Sequence, residues 1–198
     1  MKFRERISIF IDFPNLSGSW KRAFGKKPKE HIPEDGWSYL NSSLLTLYSL
    51  TSRVPLKKLD HKITHICYPL LDDDSRSKHE YNFYKKVVSL STEYGYVWKA
   101  QPKGLVENSY TSHLKEKGVD SFIVCQLMIG AKKGLYDTAI LVSNDNDYVP
   151  AVEIVQNKYK CKVIQGAYID LMAENAYLRG ICYGHIDFNK LNEKFQLI

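Results

Sequence analysis

Four aspartates at the ends of apolar segments are the residues of this sequence best suited to chemistry. Asp145 and Asp147 stand two residues apart directly after one strand-like apolar run, and Asp12 ends another. Asp120 lies where a loop gives way to a helical pattern. Carboxylates gathered in one crevice repel one another and raise each other's pKa unless a divalent cation neutralises them. All-oxygen ligands suit Mg²⁺ or Mn²⁺, so the four acids predict a site for one of these ions.

Each acid also has a structural explanation that needs no ligand. Asp12 fits the start of a turn, and Asp120 fits a helix N-cap or first turn. Asp147 fits the N-cap of a helix that carries Pro150 in its first turn. The chemical interpretation is favoured because two strand ends and a loop-to-helix junction all present acids. The acidic run 72–74 follows another strand, and we assign it to the capping of the next helix rather than to the site.

The elements that would position these acids alternate between strand and helix patterns. Strand-like runs, rich in β-branched and aromatic residues, fall at 7–12, 62–70, 96–101, 138–144 and 161–167. Helical periodicity is found after Asp147 and also at 37–51, 75–94 and 119–132. This order predicts an α/β fold with a doubly wound, mostly parallel five-stranded sheet and helices on both faces. The carboxyl ends of such strands form the crevice where ligands bind, so the sheet would bring Asp12 and Asp145 together.

Length and composition indicate one domain over residues 1–198. A chain of 198 residues with 44% hydrophobic residues can form one sizeable core. We place that core at about 7–167 and a C-terminal extension at about 168–198. Within the extension, 171–178 has a helical pattern and 180–188 fits an edge strand or an irregular strap. We have no functional interpretation of the extension.

The sequence has no segment typical of membrane insertion or secretion. Its apolar runs fall short of the roughly 20 residues that cross a bilayer, and its charged start is not followed by the apolar core of a signal peptide. We therefore expect a cytoplasmic protein that does not enter a membrane. The four cysteines are far apart and include no C-x-x-C pair, so neither disulfides nor a zinc site is expected.

Positive charge is unevenly distributed along the chain. The formal net charge is +6, and the segment 20–29 carries five cations, two aromatics and no acid. Such a segment can neutralise phosphates while an aromatic ring stacks on a base. A solvated loop is the alternative interpretation of this segment. A basic surface around an acidic crevice suits an anionic polymer that is hydrolysed with the help of a metal.

Three blocks of the sequence, taken together, resemble the NYN domain, a branch of the PIN-like nucleases. The blocks are 9–16 (IFIDFPNL), 117–120 (KGVD) and 136–150 (YDTAILVSNDNDYVP), in the order found in the family. The resemblance covers about 7–167 and implies a PIN-like fold with metal-dependent phosphodiester cleavage, usually of RNA. On that pattern the acidic site and its polar neighbours are matched by Asp12, Asp120, Asp145, Asp147, Asn15 and Ser143.

Two positions depart from the family pattern. Asn144 stands where many members have Gly, a mild change because Asn tolerates left-handed backbone conformations. Gln126 stands where many members have a further acid. A missing carboxylate reduces the negative charge that holds a second metal. A site with one firmly held cation, or a slower enzyme, is consistent with this departure.

Together these features predict an Mg²⁺- or Mn²⁺-dependent ribonuclease that hydrolyses phosphodiester bonds with a metal-activated water. We assign catalysis and metal binding to Asp12, Asp120, Asp145 and Asp147. The residues expected to bind the substrate, by orienting its phosphate or by contacting neighbouring phosphates, are Asn15, Ser143, Asn144, Lys115, Lys117, Lys21 and Arg22. For Lys115 and Lys117 an exposed helix face is the alternative, and Lys21 and Arg22 belong to a wider surface.

Two other function classes remain open. A non-catalytic nucleic-acid-binding module would keep the basic surface and use its acids as caps. A phosphatase of the α/β kind usually has Asp-x-Asp at the end of its first strand, but position 14 is proline here. Nucleic acid is the expected partner, with RNA preferred to DNA because of the family resemblance. The sequence leaves open whether the chain forms a homo-oligomer.

Overall fold

The structure is a computed structural model, and it describes residues 4–25, 40–70, 98–107, 114–116, 118–168 and 176–190. The strands are β1 (Glu5–Asp12), β2 (Leu59–Leu70), β3 (Trp98–Glu107), β4 (Leu114–Glu116), β5 (Thr138–Val142), β6 (Lys162–Ala167) and β7 (Gly184–Asp187). The helices are α1 (Phe13–Phe24), α2 (Leu40–Ser52), α3 (Val119–Lys132), α4 (Val149–Asn157) and α5 (Ala176–Ile181). Two short 3₁₀ helices, Leu56–Lys58 and Asn146–Tyr148, precede β2 and α4.

The strands form one sheet in the order β4-β3-β2-β1-β5-β6-β7. All neighbouring strands are parallel except β3 and β4, which are antiparallel. The predicted α/β fold with a mostly parallel sheet is confirmed. The five predicted strands are all present, and β4 and β7 extend the sheet at its two edges. The segment 180–188 therefore contains an edge strand rather than an irregular strap.

The centre of the sheet is a topological switch point. The chain leaves β1 toward β2 and β3 on one side and returns to β5 on the other side of β1. The register pairs Ile11 with Val142 across β1 and β5. Connections on opposite sides of the sheet leave a crevice at the carboxyl ends of such a strand pair. The fold thus has a crevice where β1 ends at Asp12 and where the segment after β5 begins.

Helices cover both faces of the sheet and enclose two hydrophobic cores. Along β1, Ile7, Ile9 and Ile11 point to one face and Phe10 points to the other, as the two-residue period of a strand requires. Helices α1 and α2 pack on the isoleucine side, and α3, α4 and α5 pack on the side of Phe10. The two cores hold β1 and β5 rigidly, so their carboxyl ends are well placed to position a site.

Helix α1 corrects one expectation from the sequence. Its N-cap is Asp12, whose side chain accepts a hydrogen bond from the backbone N–H of Asn15, and its C-cap is Gly25 in the left-handed conformation. The first part of the basic segment 20–29 is therefore helix and not a solvated loop. Trp20 is 2% exposed and packs edge-on against Tyr168, so its ring is not accessible to a base.

The other predicted helices agree with the structure where it describes them. Helix α3 has the predicted bounds, and α2 and α4 lie within three residues of theirs. The predicted helix 75–94 and the acidic run 72–74 lie outside the described residues. No helix in the described ranges is long and apolar enough to cross a membrane.

Candidate metal centre

Three aspartates from two parts of the chain meet at the crevice. One carboxylate oxygen from each of Asp120, Asp145 and Asp147 can be chosen so that all three lie within 4.8 Å of one another. Asp120 comes from the first turn of α3, whereas Asp145 and Asp147 follow β5. The predicted convergence of these three acids is therefore present in the structure. Their metal-binding role stays a prediction.

The chemistry of this donor set fits a hard divalent cation. Carboxylate oxygens are the ligands that Mg²⁺ and Mn²⁺ prefer, and the group of three contains no histidine or cysteine that would favour zinc. Asp147 is exposed, and Asp120 and Asp145 are partly buried, so waters can complete a coordination shell from the open side. The pKa of Asp120 is raised, first by burial and then by the charges of Asp145 and Asp147. A bound cation would relieve that repulsion.

The turn after β5 presents its two aspartates through a single 3₁₀ turn. Oδ1 of Asp145 accepts a hydrogen bond of 2.9 Å from the backbone N–H of Asp147, which makes Asp145 the N-cap of the 3₁₀ helix. The sequence had suggested Asp147 or a neighbour as the cap of the following helix. The capping bond keeps the Asp145 carboxylate close to the start of the turn, so the i, i+2 spacing places both acids in one small region.

Asp12 occupies the floor of the crevice rather than its open side. It is 2% exposed and is not one of the three aspartates whose oxygens group together. Its carboxylate accepts hydrogen bonds from the backbone N–H of Asn15 at 3.1 Å, the hydroxyl of Ser143 at 3.0 Å and the hydroxyl of Tyr148 at 3.1 Å. Burial raises the pKa of Asp12 to about 6, the charge of Asp120 adds to this effect, and the hydrogen bonds oppose it. Asp12 is therefore a buried acid with satisfied acceptors, directly behind the exposed group.

Tyr148 joins the buried acid to the exposed group. Its hydroxyl oxygen is 3.1 Å from Oδ2 of Asp12 and 3.1 Å from Oδ1 of Asp120, and its side chain is fully buried. Burial and the two neighbouring carboxylates raise the pKa of Tyr148, so the phenol keeps its proton. One hydroxyl hydrogen is thus shared between two carboxylates. Sequence reasoning missed this residue, although its position three residues after Asp145 would have placed it one 3₁₀ turn away.

Asn15, Ser143 and Asn144 lie at the crevice but bond within the protein. Oδ1 of Asn15 accepts from the backbone N–H of Asn144 at 2.9 Å. The Ser143 hydroxyl donates to Asp12 and accepts from the backbone N–H of Asp145 at 3.1 Å. Ser143 and Asn144 are each 2% exposed. In this arrangement the three residues position the acids, and their predicted contact with substrate stays untested.

Gln165 on β6 is a further positioning residue that the sequence analysis did not identify. Its side chain is fully buried, and Nε2 donates to the backbone carbonyl of Ser143 at 3.0 Å and to Oδ1 of Asn144 at 3.3 Å. These bonds fix the segment that immediately precedes Asp145. The signal was not local, because it depends on the register that places β6 beside β5.

Two of the four predicted cations, Lys21 and Arg22, are not brought together with the acids. Lys21 and Arg22 are exposed in the last turn of α1, and Lys21 is nine positions after Asp12, which is about 13 Å along the helix axis. Lys115 lies on β4, where the structure describes the backbone alone, and Lys117 lies outside the described residues. Lys21 and Arg22 therefore belong to a surface at some distance from the crevice.

Comparisons with known proteins agree with this fold. The model of the NYN domain family matches residues 6–179. The crystal structure of a protein of unknown function from Vibrio parahaemolyticus is similar, with a TM-score of 0.60 and 16% sequence identity over 94% of each chain. At this identity the likeness supports the fold alone. A search of curated protein sequences gives no match.

Proposed function

This chain belongs to the NYN domain family of the PIN-like superfamily, a nuclease-type family, and we propose that it is a metal-dependent nuclease acting on single-stranded RNA. The observation that supports this proposal most directly is the grouping of oxygens from Asp120, Asp145 and Asp147 within 4.8 Å. RNA is preferred to DNA because RNA cleavage is usual in the family. The net charge of +6 suits a polyanionic substrate.

Asp120, Asp145 and Asp147 are the residues that would hold the cation. Mg²⁺ or Mn²⁺ at such a site supplies an acidified water as nucleophile and offsets the negative charge that develops on the phosphate. The substrate phosphate would approach from the exposed side, where Asp147 lies. In the reaction, the water oxygen bonds to phosphorus while the bond from phosphorus to the 3′ oxygen breaks. The products are a 5′-phosphate and a 3′-hydroxyl, which receives a proton from the water.

The buried residues keep the proposed metal ligands in place. Tyr148 bonds to Asp120, and Ser143 bonds both to Asp12 and to the backbone N–H of Asp145. Asp12 is thus linked through Tyr148 to Asp120 on α3 and through Ser143 to the turn that carries Asp145. Preorganisation of this kind matters because electrostatic catalysis loses its advantage if charged groups must reorganise during the reaction.

The test is cleavage of labelled single-stranded RNA and DNA, each with Mg²⁺, Mn²⁺ or EDTA. We expect RNA cleavage with either metal, none in EDTA, and none by Asp145→Asn. The matched control is Asp187→Asn, which makes the same substitution on β7, and it should cleave like the wild type. Cleavage by Asp145→Asn at the wild-type rate would show that this acid has no catalytic role.

A second candidate function is that of a binding module without catalysis. The observation that favours it is the state of Asp12, which is buried, caps α1 and has three hydrogen-bond donors. A structural role accounts for all of these contacts. Such a module would bind RNA equally well in EDTA and in Mg²⁺ and would leave it uncut, so the same experiment separates the two functions.

A further inference from the structure

The end of the sheet at which the parallel strands begin, here called the amino-terminal edge, lies opposite the acidic crevice. It carries a concentration of positive charge. Strands β2, β5 and β6 begin at this edge, and the connection that leads into each of them presents two exposed lysines. These lysines are Lys57, Lys58, Lys132, Lys133, Lys158 and Lys160. Because β1 lies between β2 and β5, the three pairs extend across the four central strands of the sheet.

The acids at this edge leave the lysine pairs uncompensated. Asp137 pairs with Arg6, Asp60 pairs with Lys62, and Glu5 pairs with Lys162. None of the six lysines has an ion-pair partner within the part of the chain that the structure describes. The edge is therefore strongly positive, whereas the carboxyl edge holds the group of Asp120, Asp145 and Asp147.

Helix dipoles explain only part of this pattern. A cation near the carboxyl end of a helix is favoured by the macrodipole, which accounts for Lys132 and Lys133 at the end of α3 and for Lys158 after α4. Lys57 and Lys58 lie in a three-residue 3₁₀ helix, and Lys160 lies in the turn before β6. Their clustering at one edge is better explained by a polyanionic partner, since like charges otherwise repel.

A cavity at the same edge adds a feature suited to a nucleic-acid base. It has a volume of about 210 Å³ and is lined by residues including Tyr48, Lys162, Tyr183 and His185. The Tyr183 ring is 68% exposed, and Nζ of Lys162 lies 5.2 Å from its centre. Pockets for whole small molecules usually have about 300–1,000 Å³. A smaller cavity beside an exposed ring suits one planar group of a longer polymer.

We propose that this edge is a second contact surface for single-stranded nucleic acid, separate from the acidic crevice. The lysine pairs neutralise phosphates of the strand, and one unpaired base enters the cavity and stacks on Tyr183. Aromatic stacking together with a basic surface is the usual means by which proteins hold single strands. The proposal rests on nucleic acid being the substrate class, as proposed above, but it does not require that the acidic crevice cleave the strand.

The charge component can be tested by binding in EDTA, where cleavage is suppressed. A labelled single-stranded RNA long enough to span the sheet is titrated and followed by fluorescence anisotropy. The double variant Lys57→Gln/Lys58→Gln should bind about tenfold more weakly and show a shallower dependence on salt. The matched control is Lys190→Glu, which lowers the net charge by the same amount as the double variant. Lys190 follows β7 and so lies at the carboxyl ends of the strands. Equal weakening by this control would show a general charge effect and overturn the proposal.

The base component can be tested with two tyrosines of nearly equal exposure. Tyr183→Ala should weaken binding of single-stranded RNA about tenfold and leave binding of duplex RNA unchanged, because a paired base cannot enter the cavity. Tyr177, which is 66% exposed on α5, provides the control Tyr177→Ala, and this variant should bind like the wild type. Identical binding by the two variants would eliminate the base site.

Two further measurements separate this proposal from its alternatives. Vesicles containing phosphatidylserine are the competing polyanion, and a lysine variant that loses vesicle binding but keeps RNA binding would assign the edge to a lipid surface instead. Cleavage of a dinucleotide, which is too short to reach from one edge to the other, should be unchanged in all of these variants. If the wild type binds RNA but does not cleave it, the proposed nuclease function is contradicted, whereas the proposal of a second contact surface is not.

Discussion

The hydroxyl oxygen of Tyr148 lies 3.1 Å from Oδ2 of Asp12 in the buried floor of the crevice. The same oxygen lies 3.1 Å from Oδ1 of Asp120, so a single phenol serves a buried acid and a member of the exposed acidic group. A neutral donor of this kind moderates the repulsion between two carboxylates without adding a charge. The stability of the site therefore depends on groups that do not themselves face the substrate.

Replacement of Tyr148 by phenylalanine should destabilise the protein while it preserves the core volume. The loss of the hydroxyl removes the donor that Asp12 and Asp120 share, while Asp12 keeps its bonds from Asn15 and Ser143. Losing such a donor costs about 1–3 kcal/mol when the acceptor is buried. The cost should be larger at pH 8 than at pH 5, because Asp12 is ionised only at the higher pH. Urea unfolding in EDTA at the two pH values measures this difference. Tyr177→Phe, at an exposed position, should have no effect, and equal stability of Tyr148→Phe and the wild type would contradict the prediction.

Asp12→Asn should stabilise the protein at neutral pH in the absence of metal. The pKa of Asp12 is raised from 3.8 to about 6, so the folded state binds the proton more tightly than the unfolded state does. The protonated Asp12 therefore contributes to the stability of the folded state. This contribution is complete below pH 4 and is lost as the pH rises through 6. The rise of the pKa from 3.8 to about 6 corresponds to roughly 3 kcal/mol of unfolding free energy lost at neutral pH, a cost that the isosteric amide avoids.

The difference in unfolding free energy between the wild type and Asp12→Asn, measured from pH 4 to 8 in EDTA, isolates this group from other titrations. The stability of the variant relative to the wild type should increase as the pH rises from 4 to 8. A variant less stable than the wild type at pH 8 would mean that the hydrogen bonds from Ser143 and Tyr148 outweigh the cost of burying the charge.

The positions of Asp12 and Asp145 could be predicted from the sequence because they depend on strand order. Parallel strands that end in Asp12 and lead to Asp145 must deliver both to one edge of the sheet, whatever the details of packing. Asp120 was chosen because it stands at a loop-to-helix junction and because its block, 117–120 (KGVD), resembles the family pattern. Each of these signals lies within a few consecutive residues.

The features that were missed depend on contacts distant in sequence. Gln165 reaches the carbonyl of Ser143 only because β6 pairs with β5 in a particular register. Helix α1 was missed because Asp12 fitted the start of a turn and the cations after Trp20 fitted a solvated loop, whereas capping by Asp12 and burial of Trp20 stabilise a helix. Tertiary packing here outweighs local composition.

Addition of Mg²⁺ or Mn²⁺ should raise the melting temperature of the wild type and have little effect on Asp145→Asn. A ligand that binds only the folded state stabilises it by about 2.7 kcal/mol at a concentration 100 times its dissociation constant. Differential scanning calorimetry with and without metal at constant ionic strength checks this expectation, and Asp187→Asn serves as the control that keeps the metal response. An unchanged melting temperature of the wild type at millimolar Mn²⁺ would contradict a metal site in the crevice.

Gln165→Leu should weaken metal binding more than it disturbs the fold. The substitution keeps most of the side-chain volume but removes the donor that holds the carbonyl of Ser143 and Oδ1 of Asn144. It also removes Oε1 of Gln165, a buried atom with no hydrogen-bond partner in the structure, which offsets part of the loss. We expect about 1 kcal/mol of destabilisation and a severalfold higher midpoint for stabilisation by Mn²⁺, because Asp145 follows the released segment directly.

Gln156→Leu is the matched control for this prediction. Gln156 on α4 also makes several side-chain hydrogen bonds and is partly buried. It donates to the carbonyl of Ile181 and accepts from the backbone N–H groups of Val163 and Tyr183. These contacts join α4 to β6, to the end of α5 and to the connection between α5 and β7, and none of them is made to the acidic turn. The control should therefore lose a similar or greater free energy of unfolding and keep the wild-type Mn²⁺ midpoint. If both variants shift the midpoint equally, general loosening explains the effect and Gln165 has no specific role in positioning the acids.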